Sequence, residues 1–170
     1  MRLGGSIRRM SMAAALVGVV SVSVAPMVQA APKGKEQVLV LYSENRGLHV
    51  FDDNTSGIDH GDLFARENAI SLTYGGPVVG VSYSQGEIIA HDPVNNTDVR
   101  RVFIQTLLPK GRLFGMSISE LDRGAVPEPG WVNSYAIVGG TGKYAGARGE
   151  MTLILMPDGK TFRAVSRFTM

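Results

Sequence analysis

Ala136-Ile-Val-Gly-Gly-Thr-Gly-Lys-Tyr-Ala-Gly-Ala-Arg-Gly-Glu150 is the stretch on which the fold turns, because its glycines admit two incompatible readings. A dinucleotide-binding turn would place Gly140-x-Gly142-x-x-Ala145 between a strand and a helix, with an acidic residue about 20 positions further on. The chain instead continues Ala147-Arg-Gly-Glu-Met-Thr-Leu-Ile-Leu155, which alternates like a strand and carries Gly146 and Gly149 where a helix should begin. A phosphate-binding P-loop fails as well, since Lys143 is followed by Tyr144 and not by Ser or Thr. The glycines therefore mark a tight strand-to-strand connection that needs positive φ and close backbone approach.

Outward from this point the chain is a series of short β-prone runs. Strands are predicted at Gln37–Ser43, Leu63–Thr73, Val78–Ala90, Arg100–Leu108, Arg112–Leu121, Val132–Val138, Ala147–Leu155 and Thr161–Thr169, all rich in Val, Ile, Thr and aromatic residues. Turn chemistry separates them at Tyr74-Gly-Gly-Pro77, Asp92-Pro-Val-Asn-Asn96, Pro109-Lys-Gly111 and Pro157-Asp-Gly159. No amphipathic helix interrupts the series, which suggests an eight-stranded antiparallel meander. Phe162, Ala164, Ser166 and Phe168 share one face of the last strand, with Arg163, Val165, Arg167 and Thr169 opposite. Other strands, such as Val38–Tyr42 and Val102–Leu107, are apolar on both faces and need cover on both sides. A closed barrel with a subunit interface outside supplies that cover, and a sandwich is the competing architecture.

The first thirty residues read as a secretion signal. Arg2, Arg8 and Arg9 precede the apolar run Met12–Val24, and Val28-Gln-Ala30 offers a small-residue cleavage site before Ala31. The run is short for a membrane span of roughly 20 residues, so no stable membrane anchor is expected. Arg8-Arg9 hints at twin-arginine export, but Ser11 stands where a bulky apolar residue is expected. Residues 1–30 are thus assigned to the signal and 31–170 to one barrel domain, exported from the cell. Loss of the three signal arginines leaves 14 basic residues of the original 17 against 15 acidic ones. Nucleic-acid binding, which needs a basic footprint, has no support. The chain has no cysteine, which excludes disulfides, zinc-thiolate sites and Cys nucleophiles.

Arg46–Gly61 reads as irregular. Its Asp52, Asp53 and Asp59 match no calcium-loop spacing and are assigned to a solvated turn. Asn54-Thr-Ser56 and Asn95-Asn-Thr97 fit the glycosylation tripeptide, a pattern common by chance. His49, His60 and His91 lie in or beside loops without ligand spacing, and they support neither a metal site nor a Ser-His-Asp arrangement. Arg100-Arg101 reads as a solvated strand end.

Val138-Gly-Gly-Thr-Gly-Lys-Tyr-Ala-Gly-Ala-Arg-Gly149 resembles the signature of the allene oxide cyclase and dirigent barrel superfamily. Three further stretches resemble that family in order and spacing: Val38-Leu-Val-Leu-Tyr-Ser-Glu-Asn45, Gly61-Asp-Leu63 and Val79-Gly-Val-Ser-Tyr-Ser-Gln-Gly86. The resemblance implies an eight-stranded antiparallel barrel that works without metal or organic cofactor. It implies an interior that holds a small hydrophobic ligand for cyclisation or stereoselective coupling, and assembly into a homo-oligomer, specifically a trimer. Allene oxide cyclases carry a first-strand carboxylate where this chain has Ser43, with Glu44 next to it. Neighbouring strand residues point to opposite faces, so Glu44 replaces that acid only if the strand slips by one residue. The fatty-acid epoxide reaction is therefore not expected.

Arg148, Asp62 and Glu44 are the candidate catalytic charges, and Tyr42, Asn45, Tyr83 and Tyr135 the candidate ligand-binding residues. Arg148 lies where dirigent proteins also have Arg, although Arg148 and Glu150 equally suit an exposed strand pair. Trp131, after Pro127-Glu-Pro-Gly130, is expected to cover a barrel rim. A non-enzymatic carrier or a structural barrel with a filled interior is the alternative. If the signal reading holds, the intact mass of secreted protein corresponds to a start at or within a few residues of Ala31. A membrane-bound product retaining Met1 overturns it.

Overall fold

The computed structural model describes residues 34–51 and 60–170; the signal segment, Asp52, Asp53, Asp59 and the Asn54 tripeptide lie outside them. Eight strands form a single closed antiparallel barrel in chain order: β1 (Gln37–Phe51), β2 (Leu63–Ser71), β3 (Val78–Asp92), β4 (Thr97–Leu108), β5 (Gly111–Asp122), β6 (Val132–Gly142), β7 (Arg148–Leu155) and β8 (Thr161–Thr169). β8 pairs back onto β1, from Gln37–Phe168 to Glu44–Thr161. Closure rules out the sandwich. It also removes both sheet edges, so every strand finds two hydrogen-bonded neighbours.

The main departure from the sequence reading is at β1, which runs on to Phe51 through part of the segment read as irregular. A bulge between Asn45 and Gly47 shifts the β1–β2 register, and the Gly47 N–H donates to Asn45 Oδ1 at 3.1 Å. Before the bulge Leu41 and Ser43 face the interior; beyond it, Leu48 and Val50 do. One inserted residue thus inverts the face of the distal half of the strand.

The glycine-rich segment closes one barrel end. The turn after β6 is held by Tyr144 N–H to Thr141 O and by Ala145 N–H to Gly142 O, both 3.1 Å, and by Lys143 N–H to Lys110 O at 2.7 Å. It folds Tyr144 and Ala147 into the core, where Tyr144 meets Phe168 edge-on with centroids 6.1 Å apart. Backbone proximity explains Gly140: a Cβ there would sit 2.3 Å from Tyr144 O and 2.7 Å from Arg112 O. Gly142 has φ 59° and stands equally close to Lys110 O. Gly139 has neither constraint, since a Cβ would make only ordinary contact with Arg148 and Phe114.

We predict that Gly140→Val destabilises the barrel by about 3 kcal/mol or more, as clashes with fixed backbone do. Gly139→Ala should stay within about 0.5 kcal/mol of wild type. Denaturant unfolding of both variants checks this contrast, and equal losses contradict the backbone-approach argument.

Candidate functional site

The interior of the barrel is a cavity of about 140 Å³, plugged at the glycine-rich end and reached from the other. Its walls are mostly apolar, with Leu41, Ile70, Val102, Ile104, Ile137 and Met151 deep inside. At the opposite end Leu48, Val50, Leu63 and Val126 line it while remaining between 42% and 66% exposed, so the mouth has an apolar rim. The β5–β6 connection contributes Ala125, Val126 and Pro127 to this rim. Trp131 lines it too and packs edge-on against Phe162, with centroids 6.4 Å apart and planes at 78°. The rim position expected for Trp131 is its position in the structure.

Two polar groups project into the lumen from opposite walls. Arg66 projects from β2 into the lumen, its guanidinium 5.6 Å above the Phe162 ring. Tyr135 projects from β6 and is 4% exposed. Burial lowers the Arg66 pKa, partly offset by the Tyr135 phenol. Burial raises the Tyr135 pKa above 10.0, opposed by the Asn133 amide and the Arg66 charge. Each group therefore feels the other across the lumen. Asn68, Ser82, Ser43 and Ser166 add small polar groups to the wall.

Charged groups also occupy the mouth. Asp98 has a side chain only 1% exposed, and its Oδ2 lies 3.6 Å from Arg100 Nη2 and accepts the Gly124 N–H at 3.2 Å. Its Oδ1 is 3.5 Å from His91 Nδ1, which bonds Thr97 O at 3.1 Å and so carries a proton. Arg100 Nη2 donates to Ala125 O at 3.1 Å. The buried Asp98–Arg100 pair thus ties down the loop that forms part of the rim. This corrects the reading of Arg100-Arg101 as a solvated end: only Arg101 is exposed, paired with Glu87.

Of the residues expected from sequence, the structure brings Asp62 and Tyr135 to the cavity. Asp62 is 2% exposed at the mouth, where its carbonyl accepts the Ile88 N–H at 3.0 Å. The others stand elsewhere. Glu44 precedes the bulge, so the register shift comes too late to turn it inward; it is exposed and bonded to Lys160 Nζ at 2.7 Å. Tyr42 lies on the same outer face, edge-on to Tyr74. Asn45 is consumed by the bulge itself. Tyr83 is 46% exposed on the outer wall, between Glu67 and Gln105 in register. Arg148 is exposed and donates to the neighbouring Ala147 O at 2.7 Å, and Glu150, also exposed, accepts from Ser134 at 3.3 Å. The exposed-pair alternative for Arg148 and Glu150 is therefore their placement.

Arg66 was missed, though a signal existed. It falls on the same period-two face as Phe64, Asn68 and Ile70, an unusual place for an arginine unless that face lines a polar chamber. Among the described residues no three His, Asp or Glu side chains gather as metal ligands.

Buried charges differ in what their removal does. Arg66 has no carboxylate partner among the ion pairs of the described residues, so Arg66→Met should leave stability within about 1 kcal/mol of wild type or raise it. Asp98→Ala strands Arg100 and should cost about 3 kcal/mol. Thermal and denaturant unfolding distinguish the two, and a large loss in Arg66→Met marks Arg66 as structural.

No family model matches the sequence, and no curated protein matches it significantly. Solved structures do match. A pyocyanin demethylase superposes with TM-score 0.62 at 22% identity, covering 77% of this chain and 99% of that one. A nonspecific heme-binding cyclase that catalyses a cycloaddition in neoabyssomicin biosynthesis gives TM-score 0.65 at 15% identity, covering 81% and 68%. The pterocarpan synthase dirigent protein GePTS1 gives 0.57 at 16%, covering 89% and 96%. At such identities the likeness concerns the backbone alone. The chain shares its barrel fold with this cyclase and this dirigent protein, in keeping with the barrel that its glycine-rich segment led us to expect.

Proposed function

We propose that the barrel interior is a binding chamber for a small, mostly apolar molecule, and that it steers a cyclisation or a stereoselective coupling of that molecule without a cofactor. The observation that carries this reading is the presence of Arg66 and Tyr135, from opposite walls, inside a mostly apolar lumen with an open mouth. A filled structural barrel has no use for a guanidinium in its core. A simple carrier does not need charged groups converging on the cargo, whereas Asp62, Arg66 and Arg100 all line this cavity. The fold shared with a cycloaddition catalyst and a dirigent protein supports the same class of chemistry.

Catalysis of this kind works by confinement and by a few placed dipoles. Rigid apolar walls hold a flexible substrate in a reactive conformer and supply part of the barrier lowering as prepaid entropy. Arg66 and Tyr135 donate hydrogen bonds to an oxygen that gains negative charge as bonds reorganise. One such donor in a water-poor site is worth on the order of 100-fold in rate.

The protein is further proposed to be exported and to act as a trimer. The outer wall of β4–β6 exposes Met116, Ile118 and Val138 beside the half-buried rings of Phe103 and Phe114, which stack with centroids 6.2 Å apart. Contiguous exposed apolar surface of this sort favours association.

Filling the lumen tests the chamber. Non-denaturing mass spectrometry of the native protein should release a small apolar molecule, and Ala164→Phe should abolish its retention while circular dichroism stays that of a folded barrel. A wild-type protein that binds no apolar probe favours a structural barrel. Sedimentation should give a trimer; a monomer at micromolar concentration contradicts the assembly.

A further inference from the structure

The lumen is apolar over most of its wall, yet it contains a cation whose charge is not matched. Among the described residues Arg66 takes part in no ion pair, and its Nε is inaccessible to solvent with no hydrogen-bond acceptor. Guanidinium does not shed its proton at neutral pH, so the charge persists even though burial disfavours it. The other lumen-facing cation, Arg100, is already matched by Asp98 and Ala125 O. Asp62, the acid at the mouth, is itself engaged. Two residues beyond Arg66 on the same face, Asn68 Oδ1 is also buried and receives no hydrogen bond. Among the described residues, one face of β2 thus carries a buried donor and a buried acceptor without hydrogen-bond partners.

The ring beneath the guanidinium adds a shape. Phe162, with Trp131 edge-on beside it, forms an aromatic shelf between Arg66 and the mouth. The free volume of about 140 Å³ is close to that of an apolar cavity that accepts a single benzene-sized ring. A neutral apolar occupant would strip the remaining water from Arg66 and return nothing to it. A negatively charged oxygen returns a charge-assisted hydrogen bond in a medium of low dielectric.

We propose that the resident ligand is a flat, conjugated anion of about one ring, whose phenolate, enolate or carboxylate oxygen pairs with Arg66 while its π-face lies against Phe162. Arg66 is then the residue that sets ligand charge, and the mouth aromatics set ligand shape. This inference rests on the chamber reading above and adds the chemical class of the molecule inside.

Cinnamate and cinnamyl alcohol, which share a ring and a conjugated chain but differ in charge, separate the two claims. Calorimetric titration of the full-length mature protein at neutral pH should show cinnamate bound at least about tenfold tighter than the alcohol. Arg66→Met should erase that preference and leave the alcohol bound as well or better. Arg66→Lys, which keeps the charge, should retain a preference for cinnamate and serves as the comparison if Arg66→Met does not fold. A wild-type protein that binds the alcohol as tightly as cinnamate, or an Arg66→Met variant that keeps the anion preference, overturns the proposal while the chamber stands. If neither probe binds, the chamber reading falls and the proposal falls with it.

Discussion

Closure of the sheet on itself governs everything else in this molecule. Once β8 pairs with β1, each side chain is either inside or outside, and strand parity makes the choice. No cysteine is present to hold the chain together, so the ladder of eight antiparallel pairs and the core it encloses must do so. The turn between β6 and β7 matters more than its length suggests. It supplies the close backbone approach at Gly140 and sends Tyr144 and Ala147 into the barrel end. One end is thereby sealed by side chains packed to core density. The free space is left at the other end, and that asymmetry turns a barrel into a chamber.

Within the chamber, two arginines show how differently a buried cation can be accommodated. Arg100 is matched: Asp98 faces it, Ala125 O accepts from it, and the loop over the mouth is fixed as a result. Such a pair is costly to break but contributes little beyond what apolar packing would give. Arg66 has no ion-pair partner among the described residues, and burial disfavours its charge. Folding stability alone gives no reason to keep a guanidinium there, since methionine fills similar space without charge. Strain of this kind is characteristic of sites that are completed by a ligand. On the proposed reading, the charge that burial disfavours is what would make the interior selective.

Much of the architecture was legible because the chain obeys simple rules. Turn residues at Pro109-Lys110 and Pro157-Asp-Gly159 fall between the observed strands, and the alternation of Phe162, Ala164, Ser166 and Phe168 gives the inner face of β8 directly. The site was less legible, for two physical reasons. The bulge at Asn45–Gly47 inverts parity partway along β1, and nothing in the residues fixes on which side of Glu44 the inversion occurs. Had the whole bulge preceded Glu44, its side chain would face the lumen. Arg148 illustrates the second reason: it sits in the most recognisable motif, but a motif that fixes a backbone turn says little about where its neighbours point. Arg66, by contrast, was readable from parity alone. A charge sharing a face with Phe64 and Ile70 deserved more weight than a charge beside a glycine signature.

The ionisation of the two interior groups limits the chemistry that the proposed chamber could perform. Tyr135 is held above its ordinary pKa by burial, so at neutral pH it is a phenol and donates. Arg66 is held below its ordinary value by burial and yet remains protonated, so it donates as well. Neither group is a base. A lumen with two donors and no basic group beside them favours reactions in which an oxygen of the substrate gains negative charge while no proton leaves carbon. Cycloadditions activated at a carbonyl and ring closures onto conjugated acceptors have this character. A reaction that begins with proton abstraction requires a base, and among the described residues lining the cavity the one carboxylate is Asp62, which stands at the mouth and is already engaged. On the proposed reading, this charge pattern favours electrophilic assistance and conformational control, with Arg66 holding a substrate oxygen and Tyr135 serving as a second donor.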